Sequence, residues 1–126
     1  MTAEPIEDDG ARTTGTPEAT NEVRLVGRIS AGAVERVLPS GDVLWTFRLV
    51  VPRPRRRAGT RPGVDALECA VWGGRVRRSV STWHEGDVVE VSGSVRRRFF
   101  RVPGGAASRF EIDVEAGRLI RRAASG

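Results

Sequence analysis

The stretch DALECAVWGGRVRRSVSTW, residues 65–83, changes its period in the middle, and that change decides the fold. Asp65 to Trp72 alternates as a strand does. Leu67, Cys69 and Val71 fall on one side, and Ala66, Glu68, Ala70 and Trp72 on the other. Gly73-Gly74 ends the run. From Arg75 the apolar residues recur at Val76, Val80 and Trp83, one face of a short helix over 75–83, with Arg75, Arg77 and Arg78 on its polar side.

Upstream, strand period returns. Val23, Leu25 and Ile29 alternate with Arg24, Val26 and Arg28, with Gly27 positioned to bend the strand or admit another backbone. Val34 to Leu38 is a short extension that Pro39-Ser40-Gly41-Asp42 turns back. Val43 to Val51 is a second strand, with Trp45, Phe47, Leu49 and Val51 on one face and Leu44, Thr46, Arg48 and Val50 on the other. Residues 52–63, rich in Arg, Pro and Gly, read as a mobile loop. Downstream, Glu85-Gly86-Asp87 turns the chain into a long strand over 88–100. Its Val89, Val91 and Val95 point inward, and Glu90, Ser92, Ser94, Arg96, Arg98 and Phe100 point outward. Pro103-Gly104-Gly105 makes a hairpin tip, and Arg109 to Ala116 closes the series with Phe110, Ile112 and Val114 in phase.

Three strands, one short helix and two strands is the chain order of an all-β, five-stranded Greek-key OB barrel, whose helix lies between strands three and four and plugs one end. An SH3-like barrel is the structural alternative, but it does not place a helix there. Residues 1–20 read as a disordered acidic tail, 21–120 as the barrel domain and 121–126 as a short basic tail.

Charge narrows the function. All 21 basic residues are arginine. Residues 1–20 carry a balance of −4 and the remaining chain +9, with a pI near 11.2 for the whole. Arginine offers phosphate a planar fork and offers bases a flat face, so a polyanion is the expected partner. No apolar run is long enough for a membrane helix and no signal peptide opens the chain, so the expected location is cytoplasmic and nucleoid-associated. Cys69 is alone, which excludes an internal disulfide and a multi-cysteine zinc site, and it reads as an inert core thiol. The acids Asp65, Glu68, Glu85, Asp87 and Glu90 are scattered and form no acid/base pair. No catalytic role, metal or cofactor is expected.

At this point the sequence resembles the bacterial single-stranded DNA-binding protein family. Asn21-Glu22-Val23-Arg24-Leu25-Val26-Gly27-Arg28-Ile29 is similar to its opening Asn-x-Val-x-Leu-x-Gly-Arg-Leu strand. Val34-Glu35-Arg36, Gly41 and Phe47 to Arg53 are similar to its next segment, and Ala70-Val71-Trp72-Gly73 to the end of its third strand. Glu85 to Val95 and Phe110 to Ala116 resemble its last two strands. The resemblance implies sequence-independent binding and protection of single-stranded DNA in replication, recombination or repair, by a homo-oligomer that is a tetramer in the family and can be a dimer. Gly74 and Glu85 depart from the pattern where lysine is usual, and Ala66 where some members carry tryptophan. The chain ends on Arg121-Arg122-Ala123-Ala124-Ser125-Gly126, without the family's acidic C-terminal tip for recruiting repair enzymes, which implies an accessory paralogue.

The resemblance assigns base stacking to Trp72 and Phe100. Arg96 and Arg98, in strand phase with Phe100, would contact phosphates, as would Arg28, Arg48, Arg75 and the loop residues Arg53, Arg55, Arg56, Arg57 and Arg61. Trp45 reads as core and Trp83 as a barrel-end plug. Phe99 is open between a barrel-end and a subunit contact. The acidic Glu7-Asp8-Asp9 is a candidate competitor of DNA for the basic groove. A different class of function is an OB barrel that serves as an assembly module with weak nucleic-acid affinity, RNA included.

Overall fold

A computed structural model describes residues 18–54 and 63–124. Its elements run β1 (Val23–Val37), β2 (Val43–Pro52), β3 (Val64–Val71), α1 (Arg75–Val80), β4 (Val88–Val102) and β5 (Gly105–Arg121). The strands close into a barrel in the order β1-β2-β3-β5-β4, with α1 between β3 and β4, as the change of period at Gly73-Gly74 requires.

Closure depends on strands that change partners. The first half of β1 pairs with β4, from Val23 opposite Gly93 to Arg28 opposite Val88, and its second half pairs with β2. Register shifts between Ile29 and Val34 make the bend, so the extension expected at Val34–Leu38 is the continuation of one long strand. At Gly27 the Val50 carbonyl oxygen passes 2.4 Å from where a Cβ would sit, so the close backbone approach expected there is present. Gly93 is tighter still: the Asp113 carbonyl oxygen lies 1.8 Å from its would-be Cβ, beside the β4 register shift at Ser92.

Inward residues of all five strands form the core. Ile29, Phe47, Leu49, Cys69, Val71, Val89, Val91, Ile112 and Val114 are buried together with Val80 of α1 and Trp83 just beyond it. Each large side chain so buried contributes about 1.5–3 kcal/mol. Trp83 meets Phe47 edge-on, with ring centres 5.6 Å apart, so the helix plugs the barrel end as its stripe suggested. The helix itself is shorter than 75–83. It ends at Val80, and the amides of Thr82 and Trp83 bond to Ser79 and Val80 in tightened turns. Trp45 is half-buried and packs against the core rather than inside it.

The β4–β5 hairpin outruns the barrel. Its turn is Pro103-Gly104, with Gly104 at φ 87°, and pairing runs from Val102 opposite Gly105 down to Val88 opposite Arg121. β5 therefore extends well past both ends of the expected 109–116. Beyond it, Asp87 is 1% exposed and fixes the chain end: it accepts from the amides of His84 and Ala123 and from Arg122 Nη1 at 2.8–3.0 Å. Burial pushes this carboxyl up, but the two amides and Arg122 outweigh it and hold it below its ordinary value. Among the described residues, no helix is long and apolar enough to cross a membrane.

Candidate nucleic-acid interface

Pairing register decides which side chains share the outer face of β3, β5 and β4. Ala70 lies opposite Asp113, Asp113 opposite Ser94, Glu111 opposite Arg96, and Arg109 opposite Arg98. Successive residues on one face therefore include Trp72 just past β3, Arg96, Arg98 and Phe100 on β4, and Arg109, Glu111 and Asp113 on β5.

Two rings stand open on this face, Trp72 at 41% and Phe100 at 40% exposure. Each carries a cation: the Arg98 guanidinium is 4.8 Å from the Trp72 ring centre, and that of Arg109 is 5.4 Å from Phe100. The arginines are in turn held by acids. Arg98 Nε donates to Glu111 at 2.8 Å and its Nη2 reaches Asp113 at 3.4 Å. Arg109 Nη2 donates to Glu111 at 3.1 Å, and Arg96 pairs with Asp113 at 3.2 Å. Glu111 is almost wholly buried between its two arginines, a position that requires this pairing. The face is thus a ladder of rings and guanidiniums with its charge partly neutralised from beneath.

The structure brings together four of the sequence-derived residues: Trp72, Arg96, Arg98 and Phe100. It places Arg28, Arg48, Arg53 and Arg75 apart from them. Arg48 sits on β2 and pairs across to Glu68 on β3 at 2.7 Å. Arg53, at the end of β2, pairs with Asp65 at 2.9 Å, which raises the guanidinium's pKa. Arg28 is exposed on β1 between β2 and β4, and Arg75 opens α1 beside Arg78 and Glu115. Arg55, Arg56, Arg57 and Arg61 lie outside the described residues, as does the acidic Glu7-Asp8-Asp9.

Sequence reasoning missed Arg109, Glu111 and Asp113. Their signal was present, since a two-residue turn at Pro103-Gly104 fixes the register, which sets Glu111 opposite Arg96 and Asp113 opposite Ser94, both beside the β4 arginines. It also grouped Phe110 with the core residues Ile112 and Val114, whereas Phe110 is 66% exposed. Alternation places it on the inward face, but at that height the hairpin has left the barrel and has no core to face. A further basic group was not foreseen: Arg24 and Arg118 both bond Glu90, with Arg24 the larger influence holding that carboxyl below its usual range.

Comparison with known proteins gives three findings. Residues 20–120 match the model of the single-strand binding protein family. Among curated proteins, the single-stranded DNA-binding protein 3 of Listeria innocua serovar 6a is 31% identical over 78 residues, 62% of this chain and 49% of that one. The single-stranded DNA-binding protein 1 of Streptococcus agalactiae serotype III is 28% identical over an equal span, 48% of its length. The chain thus spans about half the length of these curated relatives. Among solved structures, the Plasmodium falciparum SSB in complex with ssDNA shares the fold, with a TM-score of 0.69 at 22% identity over 85% of this chain and 98% of that one.

Proposed function

Because the chain belongs to the single-strand binding protein family, we propose that it binds and protects single-stranded DNA without regard to sequence, in replication, recombination or repair. The observation that carries this reading is the ring-and-cation ladder of Trp72, Arg98, Phe100 and Arg109. A single strand offers bases with two open faces and a phosphate at every step. Exposed rings take the bases and guanidiniums take the phosphates, each stacked base contributing about 1–3 kcal/mol. Arg98 already covers part of Trp72, so an arriving base completes a stack of base, indole and guanidinium.

The neutralised arginines set how the site works. Phosphate must compete with Glu111 and Asp113 for Arg96, Arg98 and Arg109, so each of these arginines contributes less to affinity, and to its salt dependence, than an unpaired cation would. Arg28, Arg48, Arg53, Arg55, Arg56, Arg57, Arg61 and Arg75 add diffuse attraction in this reading. We also read the chain as a homo-oligomer of the cytoplasm and nucleoid, which sizing chromatography and localisation test. The function itself is tested by titrating oligo-dT against tryptophan fluorescence. Saturable quenching that weakens with salt supports the proposal, and an unaltered signal at low salt leaves the assembly-module reading in its place.

A further inference from the structure

The β4–β5 hairpin has a second face that the ladder of Trp72 and Phe100 does not use. Arg97 and Phe99 on β4 point to it, with Ser108 and Phe110 on β5, since Arg97 pairs with Phe110 and Phe99 with Ser108. Phe99 is 71% exposed and Phe110 66%. Arg97 is fixed between them: its guanidinium lies 5.2 Å from one ring centre and 5.5 Å from the other, and its Nε and Nη2 donate to Ser108 Oγ at 3.1 and 3.0 Å.

Two open phenylalanines on one strand pair forgo the burial that would stabilise them, and clustered apolar exposure of this kind marks a contact site. Charge chooses the occupant. The acids nearest the tip of the hairpin, Glu111 and Asp113, lie on the opposite face and are engaged by Arg96, Arg98 and Arg109. Among the described residues no carboxylate pairs with Arg97, and Arg101, in phase with it, adds a further cation. A symmetric contact with a second copy would bring two copies of this cationic face together with no acid on either to meet Arg97 and Arg101, which costs rather than contributes. Flat rings among cations that no described carboxylate neutralises suit a chain of bases and phosphates.

We infer that this face is a second single-strand subsite, so that one strand runs along the Trp72 side of the hairpin and returns over Phe99 and Phe110. The inference rests on the function proposed above. Its test uses the full chain and the Phe99→Ala/Phe110→Ala double variant. Both are titrated with oligo-dT of about 8 nucleotides, enough for one face, and of about 30 nucleotides. The variant should bind the short strand as wild type does and the long strand about 10-fold or more weakly, the loss expected for one or two stacked bases. Arg97→Glu, which keeps both rings, should show an equal bias toward long-strand loss. Iodouracil photocrosslinking of wild type should label Phe110. Equal long-strand affinity in the double variant, or a smaller assembly on sizing with unchanged affinity per chain, overturns the subsite. Failure of wild type to bind either length overturns it together with the function, whereas a subsite failure alone leaves wild-type quenching by the short strand intact.

Discussion

Arg98 is held over the Trp72 ring, 4.8 Å from its centre, by an ion pair to the buried Glu111. One residue of β4 thus joins a stacking platform from the end of β3 to an acid of β5. The arrangement makes the acid, rather than the arginine, the element that tunes attraction. Glu111 also holds Arg109, the cation over Phe100, so both rings depend on one carboxylate.

Replacing Glu111 with Gln keeps the shape and an acceptor but removes the charge. Arg98 and Arg109 then become available to phosphate. Glu111→Gln should bind oligo-dT more tightly at low salt, and the slope of log K against log salt should steepen by about 0.7, one additional phosphate neutralised on a single strand. Fluorescence titrations at four or five salt concentrations measure it. An unchanged slope would show that these guanidiniums never meet phosphate.

How much of this was legible in the sequence depends on range. The change from strand to helix period between Trp72 and Val76 gave the helix, and with it the barrel order, because period is a local property. The exposure of Trp72 followed from its phase against Leu67, Cys69 and Val71. The fate of the arginines was harder to read, because it depends on partners up to 15 residues away across the hairpin, as in Arg98 to Asp113. Phe110 was misjudged for a related reason: alternation tells a residue's face but not where the core beneath that face stops.

Asp87 gives a pH signature. Its carboxyl titrates lower in the folded protein than its unfolded value of about 3.9. Its stabilisation is therefore complete above about pH 4 and is lost as pH falls through the lower folded value. Asp87→Asn should cost about 1–3 kcal/mol near neutrality, read as a lower Tm by circular dichroism. The gap from wild type should narrow in acid below about pH 4. A gap that stays constant from neutral pH to pH 2 would refute this role.

Cys69 is 1% exposed, and burial, with smaller contributions from Glu68 and Glu111, pushes its thiol up to about 12. A thiol reagent at neutral pH should leave native protein unlabelled and modify it stoichiometrically in denaturant. Rapid labelling of the native protein would place the thiol in contact with solvent.

Gly93 tests the crossing of β4 and β5. A methyl there meets the Asp113 carbonyl oxygen at 1.8 Å, in backbone that cannot yield without breaking the barrel seam. Gly93→Ala should cost about 2–4 kcal/mol, a Tm loss of roughly 10 °C or more. Melting at the wild-type temperature would mean that the seam is looser than described.

The most direct measurement of the central claim is a titration of wild type and Trp72→Ala with oligo-dT at low salt, following tryptophan emission. Trp83 is buried and Trp45 half-buried, so Trp72 should dominate any quenching. Wild type should quench saturably, and Trp72→Ala should lose most of that signal and bind about 5-fold or more weakly, the loss of one stacked base. Undiminished quenching and affinity in Trp72→Ala, or no response from wild type, would contradict the account.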